Sequence, residues 1–203
     1  MKRFVTRALI VVAAILGIVF AQVAPASATT TKQLESNLAA LWTTVLETPS
    51  AQSPFGSGGP AYACWDLGGT VAPLAPGGVE SCTVKPGTKL FVAASTFECS
   101  TFEGNGTTEA ELRTCARESD VQEAPPVTLD GRSVPIVEVE TPLLNIVLPA
   151  DNIFGLPAGT SGLSVGHGWV ALLHPLPHGT HTIVINGTIT TITTTIVVRP
   201  PGL

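Results

Sequence analysis

Apolar residues recur at three- and four-residue spacing between residues 31 and 47, and this pattern predicts an amphipathic helix. The apolar face consists of Leu34, Leu38, Leu41, Trp42 and Val45. Thr30 and Gln33 have the spacing of a capping box at the start of the helix, and Pro49 ends it. A stretch rich in Gly, Pro and Ser follows over 53–60, so residues 29–60 are predicted to form a helix and a linker.

After residue 60 the pattern changes to short apolar runs between turn residues, which favours β-structure. The predicted strands are 61–66, 69–73, 80–84, 88–97, 127–130, 134–140, 143–148, 163–166, 168–174, 180–186 and 188–198. A short helix is predicted at 107–118, where Thr108 and Glu111 match the capping-box spacing. Asp130-Gly131 and Asn186-Gly187 are typical of hairpin turns. Strands without long helices between them predict one mainly β domain over 61–203, an antiparallel sandwich or barrel.

The first 28 residues have the three parts of a signal peptide. Lys2, Arg3 and Arg7 provide the positive start, residues 8–21 form an uncharged apolar segment, and Ala26-Ser27-Ala28 is a small-x-small cleavage site. The apolar segment is shorter than the roughly 20 residues that span a bilayer. We therefore predict cleavage after Ala28, export of residues 29–203, and no stable membrane span afterwards.

The charge of the exported part argues against two classes of partner. Removal of the signal peptide leaves seven basic and fifteen acidic residues, a net charge of −8. An acidic chain with scattered charges is not expected to bind nucleic acid or an anionic membrane surface.

Four cysteines lie in the exported part: Cys64, Cys82, Cys99 and Cys115. An even number in an exported chain favours disulfides, and their 15- to 17-residue spacings are unlike those of a zinc site. Three pairings are possible from the sequence. Local closure favours Cys64 with Cys82 and Cys99 with Cys115.

All four histidines lie within fifteen residues, at positions 167, 174, 178 and 181. His174 and His178 flank a Pro-Leu-Pro turn and His181 opens the next strand, so three imidazoles at this corner could bind Zn²⁺ or Cu²⁺. The competing interpretation gives His181 a backbone hydrogen bond at a strand corner and leaves His178 on an exposed turn. His167, between two glycines, is predicted to lie in a loop.

Two further patterns suggest hydrolysis only weakly. Gly162-Leu163-Ser164-Val165-Gly166 matches the nucleophile elbow of α/β-hydrolases, but a strand-like run follows where a helix is needed, and no acidic residue comes after Ser164. A glycine-rich loop is the preferred interpretation. Glu138 and Glu140 share one face of a predicted strand, and we interpret them as a solvated surface and not as a glycosidase pair.

Several segments resemble those of an uncharacterised family of secreted bacterial β-sandwich proteins. They are Cys82–Phe91, Asp151–Phe154, Gly168–Leu173 and, most closely, the LPxGxHxI-type motif at Leu176–Ile183. The last also resembles the corner of immunoglobulin-like sandwiches, with His181 in place of the corner Tyr. The resemblance implies an immunoglobulin-like β-sandwich and no activity.

The sequence thus predicts an exported protein of the extracellular space or cell envelope, most consistent with a non-enzymatic binding or interaction module. A secreted Zn- or Cu-binding protein that uses His174, His178 and His181 is the alternative, and a hydrolase is a weaker one.

Overall fold

The computed structural model describes residues 30–74, 79–187 and 190–200. The predicted signal peptide lies outside these residues. The described chain is mainly β, as predicted, with two β-sheets and two α-helices. None of its helices has the length and hydropathy needed to cross a membrane.

The first α-helix and a 3₁₀ turn precede all strands. Helix α1 spans Thr31–Glu47, which are the predicted bounds, and the short 3₁₀ turn is Ser50–Gln52. Thr30 caps α1, since its hydroxyl accepts a hydrogen bond from the Gln33 N–H. Helix α2 spans Glu109–Ser119, and both bonds of the predicted capping box between Thr108 and Glu111 are present.

Eleven strands are found among the described residues. They are β1 Ala63–Asp66, β2 Thr70–Leu74, β3 Val79–Val84, β4 Lys89–Ser100, β5 Val127–Leu129, β6 Arg132–Ser133, β7 Val137–Glu140, β8 Leu144–Val147, β9 Ser161–Leu173, β10 Gly179–Asn186 and β11 Thr191–Val198.

The strands form two sheets that face each other across one core. The first sheet has the order β1-β2-β4-β9-β7, with β8 also paired to β9, and the second has the order β3-β11-β10-β5-β6. Leu90 and Ala171 of the first sheet and Ile183 and Ile196 of the second lie in the same buried cluster. Most neighbouring strands pair antiparallel, as predicted, but β2 with β4 and β3 with β11 pair in parallel. Crossover connections place these strands side by side, and residue patterning does not reveal such connections.

Helix α1 covers the outer face of the first sheet. Leu34, Leu38, Leu41 and Val45 are buried against residues such as Phe91, the largest fully buried side chain. Burial of side chains of this size stabilises the fold by about 2 kcal/mol each. Helix α1 therefore shares a buried cluster with the first sheet.

The two disulfides join the cysteines that local closure favours. Cys64 is bonded to Cys82 and links β1 to β3, while Cys99 is bonded to Cys115 and fixes α2 to the end of β4. No free cysteine occurs in the described chain. Two disulfides are compatible with an oxidising environment.

The two predicted hairpins differ in outcome. Asp130 and Gly131 both have positive φ, at 51° and 76°, and form the two-residue turn between β5 and β6. The hairpin predicted at Asn186-Gly187 is present, because β10 pairs antiparallel with β11, but four residues and not two separate the paired ends Asn186 and Thr191.

The sequence around Ser164 is one continuous strand, so the predictions of a glycine-rich loop there and of a loop at His167 are wrong. Strand β9 runs through both positions to Leu173. Gly166 allows close approach instead of a turn: a Cβ atom there would lie 2.3 Å from Cδ1 of Trp42. The Trp42 indole packs against this glycine and donates an N–H hydrogen bond of 2.8 Å to Oγ1 of Thr96.

Replacement of Gly166 by Ala is expected to destabilise the fold by about 2 kcal/mol. The new methyl group must displace the Trp42 indole and break its hydrogen bond to Thr96. Urea unfolding of the variant and of the double variant Gly166→Ala/Trp42→Leu tests this. We expect the double variant to lose less stability than the sum of the two single changes, and strictly additive losses would contradict the steric explanation.

Candidate functional site

The predicted metal corner does not bring its histidines together around one point. His181 Nδ1 lies 2.8 Å from Oδ2 of Asp130, and its Nε2 lies 3.0 Å from the carbonyl oxygen of Pro177. His174 and His178 are exposed. In residues 30–74, 79–187 and 190–200, no three His, Cys, Asp or Glu side chains converge in a metal-ligating arrangement. Metal binding by His174, His178 and His181 stays a prediction that requires His181 to leave both partners.

The contacts of His181 match the competing interpretation of this residue. Its bond to the Pro177 carbonyl, four residues upstream, has the form of a corner hydrogen bond. The hydrogen bond to Asp130 and then the one to Pro177 raise the pKa of His181. The same bond from His181 and the backbone N–H of Thr182 lower the pKa of Asp130. This pair fixes the β5–β6 turn to β10.

His167 lies between two carboxylates. Its Nδ1 is 2.9 Å from Oδ2 of Asp120, and its Nε2 is 2.9 Å from Oε1 of Glu138. The side chains of His167 and Asp120 are each 2% exposed, whereas that of Glu138 is 51% exposed. Because ionised carboxylates only accept, both contacts are hydrogen bonds only when both ring nitrogens carry hydrogen.

Asp120 is held by further donors. Its Oδ1 accepts hydrogen bonds from the Ser95 hydroxyl and from the Val121 N–H. The carbonyl of Val121 in turn accepts a 2.9 Å bond from Nε1 of Trp169, whose ring meets that of His167 edge-on. These bonds connect the end of α2 to the middle of β4 and β9.

The arrangement around His167 differs from that of a hydrolase triad. A triad places an acid on one ring nitrogen and a nucleophile on the other, whereas here both nitrogens face acids. Ser95 lies behind Asp120, and Ser164 is fully buried and donates to Glu98. Among the described side chains, no hydroxyl or thiol bonds to the His167 ring nitrogens.

Glu138 and Glu140 lie on the same face of β7, as predicted, but each has a specific partner. Glu140 Oε2 binds Nη1 of Arg113 at 2.9 Å, and its Oε1 binds Nε of Arg117 at 3.0 Å. Burial raises the pKa of Glu140, but the hydrogen bonds from Arg117 and Arg113 outweigh burial and lower it. The two carboxylates thus join β7 to α2 and to His167.

A second feature, which we call the β4 groove, lies along the open side of β4. Strand β2 pairs with β4 only at Lys89 and Leu90, while β9 pairs with the other side of β4 from Leu90 to Ser100. No described strand pairs with the β2 side of residues 91–97. At 3.3 Å per residue this free edge is about 20 Å long.

The walls of the β4 groove are largely apolar and carry no charge. The groove has a volume of about 430 Å³ and is lined by Leu41, Trp42, Val45, Phe55, Leu74, Ala93, Ala94, Ser95, Thr96, Phe97 and Ile192. Phe55 and Phe97 are 44% and 43% exposed. Helix α1 and the Phe55 segment form one wall, and Ile192 of the second sheet contributes to the other.

The described edge of β4 carries neither of two common protections of edge strands, a charged residue or a proline. Exposed edges are normally blocked by charged residues, prolines or covering segments. Residues 90–97, LFVAASTF, contain no charge and no proline. The one irregularity is a shift in register between Ala93 and Ser95, where β4 bulges against β9. An uncharged edge beside exposed aromatic rings is a surface suited to an interaction.

Comparison with known proteins gives no match: no family model, no curated protein and no solved structure matches this chain.

Sequence reasoning missed the β4 groove and the partners of His167. The signal for the groove was the uncharged run 90–97 within a long strand, but strand pairing decides whether such a run is central or exposed. Asp120, Glu138 and His167 come from the C-cap of α2, from β7 and from β9, and no local pattern connects them.

Proposed function

We propose that this protein is an exported, non-enzymatic interaction module that binds an extended, uncharged segment of a partner polypeptide along β4. The observation that carries the proposal is the uncharged edge of residues 91–97, which no strand in the described part of the chain pairs with on its β2 side, beside the apolar β4 groove. Such an edge binds a peptide by β-strand addition: backbone hydrogen bonds give affinity, and pockets for alternate side chains give selectivity.

The shape and chemistry of the groove favour an extended polypeptide over other occupants. The backbone N–H and C=O groups of a strand edge are satisfied by another strand. The groove walls offer no charge for a polar ligand, so a partner segment with alternating apolar side chains fits them. Two copies of the protein would place one concave groove against another and leave both partly empty, whereas a single strand fills the groove.

Export is the second part of the proposal. It is supported by the order of the three signal-peptide segments in residues 1–28 and by the two disulfides. The resemblance to secreted bacterial β-sandwich proteins and the two packed sheets support an immunoglobulin-like module of a bacterial surface. The partner is then another protein of the extracellular space or cell envelope.

The purified protein is expected to bind a rhodamine-labelled octapeptide of alternating Val and Thr with blocked ends. Fluorescence anisotropy measures the binding. Phe97→Lys places a charge at the edge and is expected to weaken binding by roughly tenfold, about 1.4 kcal/mol. Val147 is 56% exposed on β8, so Val147→Lys makes a similar change away from the groove and serves as the matched control.

Three results would overturn the proposal. The first is no rise in anisotropy up to the solubility limit of the peptide. The second is an equal loss of affinity in Phe97→Lys and Val147→Lys. The third is a dimer in sedimentation velocity that Phe97→Lys converts to a monomer, because the occupant of the groove would then be a second copy of the chain.

A further inference from the structure

The β4 groove has two sides, because neighbouring residues of a strand point to opposite faces of the sheet. Thr96 points to the face that α1 covers, since its Oγ1 accepts the hydrogen bond from Nε1 of Trp42. Phe97, the next residue, therefore lies on the opposite face, where it is 43% exposed. A partner strand along this edge would place alternate side chains on these two sides of the groove.

The side of the groove on the α1 face is enclosed by large apolar groups. Its walls are five side chains from α1, from the segment after α1 and from the end of β2: Leu41, Trp42, Val45, Phe55 and Leu74. Its floor is Ala93, which packs in the same apolar cluster as α1 and contributes only a methyl group. Large walls over an alanine floor leave space for a large apolar side chain from outside.

The side of the groove on the other face offers fewer large groups. It is lined by Ala94, Phe97 and Ile192. Ala94 is the residue at the bulge of β4, is 8% exposed and belongs to the core between the two sheets. The two faces of a bound strand would therefore meet different surroundings, and the α1 side is the one suited to a bulky group.

Two aromatic rings on the α1 side are free to contact a ring from a partner. Trp42 is held in place by its hydrogen bond to β4, and Phe55 is 44% exposed. The aromatic pairs of the described chain involve other residues, Phe102 with Phe154 and His167 with Trp169. Aromatic rings attract one another in offset or edge-on arrangements, beyond the contribution of their buried apolar area.

Short side chains would leave the α1 side of the groove partly empty. The side chains of Val and Thr end two atoms from the backbone, and apolar space that stays unfilled loses dispersion contacts. A phenyl or indole ring reaches further and presents flat faces to Trp42 and Phe55. Interfaces concentrate their binding free energy in such aromatic side chains when these fill a pocket.

We propose that the partner strand carries an aromatic residue that inserts on the α1 side of the β4 groove, over Ala93 and against Trp42 and Phe55. The inference rests on the proposed function, because it names the side chain by which the same site selects its partner. The residues on either side of the aromatic one point to the other face, where they meet Phe97 and Ile192 and are smaller. The partner segment is thus extended, uncharged and anchored by one aromatic side chain.

The test compares two rhodamine-labelled octapeptides with blocked ends by fluorescence anisotropy. One is the alternating Val/Thr peptide, and in the other a central Val is replaced by Trp. We expect the Trp peptide to bind the wild-type protein roughly tenfold more tightly. Phe55→Ala removes one of the two rings at a partly exposed position, and it is expected to reduce this gain to about twofold.

Two further variants separate the anchor from general apolar binding. Tyr62 is 39% exposed and does not line the groove, so Tyr62→Ala is the matched control and should leave the gain unchanged. Phe97→Ala removes the ring on the other face and should weaken both peptides by a similar factor.

Equal affinity of the two peptides for the wild-type protein would overturn the aromatic anchor and leave the docking site intact. A tenfold gain that persists in Phe55→Ala, or one that Tyr62→Ala reduces as much as Phe55→Ala does, would overturn it as well. Absence of binding to the Val/Thr peptide would instead overturn the proposed function.

Discussion

Glu98→Gln is expected to stabilise the protein by on the order of 3 kcal/mol at pH 7 and to flatten the dependence of its stability on pH. Burial raises the pKa of Glu98 to about 8 in the folded protein, against an ordinary value of 4.5. The folded state therefore binds this proton more tightly than the unfolded state. Stability from this group is fully present below about pH 4.5, falls as the pH rises, and is lost above about pH 8.

Gln reproduces the protonated carboxyl group without a proton to lose. Its Oε1 can accept from the Ser164 hydroxyl, so this hydrogen bond is kept. Urea unfolding at acidic, neutral and alkaline pH gives the free energy of unfolding of the wild type and the variant. The gap between them should widen towards alkaline pH, with Glu118→Gln, an exposed change, as the control.

Other groups also make the stability depend on pH, so the difference between wild type and variant is the informative quantity. Burial raises the pKa of Glu80, with an opposing hydrogen bond from Thr194, so Glu80 acts in the same direction as Glu98. Backbone and side-chain hydrogen bonds of Thr107 and Thr108 lower the pKa of Glu111 to about 2, so its stabilisation is lost as the pH falls. A variant that follows the wild-type curve at constant offset would show that Glu98 is ionised in the folded protein.

The features that sequence predicted well are those fixed by near neighbours in the chain. Helix α1 has its predicted bounds because its cap, its apolar face and Pro49 all lie within twenty residues. The capping box of α2, the turn at Asp130-Gly131 and the disulfides between neighbouring cysteines are equally local. In each case the physical cause acts over fewer than twenty positions.

The features that sequence reasoning missed depend on which strands become neighbours. The glycines around His167 and Ser164 were interpreted as a loop, although Gly166 lies in a strand and admits the indole of Trp42, which is more than a hundred positions away in the chain. The open edge of β4 results from the parallel pairing with β2, which stops at Leu90. Neither the approach of Trp42 to β9 nor the end of the β2–β4 pairing can be recognised from neighbouring residues in the sequence. Both determine the candidate site.

Removal of the imidazole in His167→Leu is expected to destabilise the protein by about 3 kcal/mol, because it leaves the buried Asp120 carboxyl group without its hydrogen-bond partner on β9. Asp120 would retain the Ser95 hydroxyl and the Val121 N–H. The two carboxyl groups that contact His167 differ in exposure. Their replacement should therefore differ in its effect on the free energy of unfolding. Glu138 is half-exposed and can return to water, and Glu138→Gln is expected to cost less than about 1 kcal/mol.

The double variant His167→Leu/Asp120→Asn distinguishes the loss of the contact with Asp120 from the loss of packing by the imidazole. Asn keeps the shape of Asp120 and can accept from Ser95 and Val121 without a charge, so it should recover much of the stability lost in His167→Leu. Unfolding in urea gives the coupling between the two changes, with His167→Leu/Glu138→Gln as the matched cycle. Equal coupling of His167 to Asp120 and to Glu138 would contradict the argument, because burial of only one of the two acids is what makes the inner contact strong and the outer one weak.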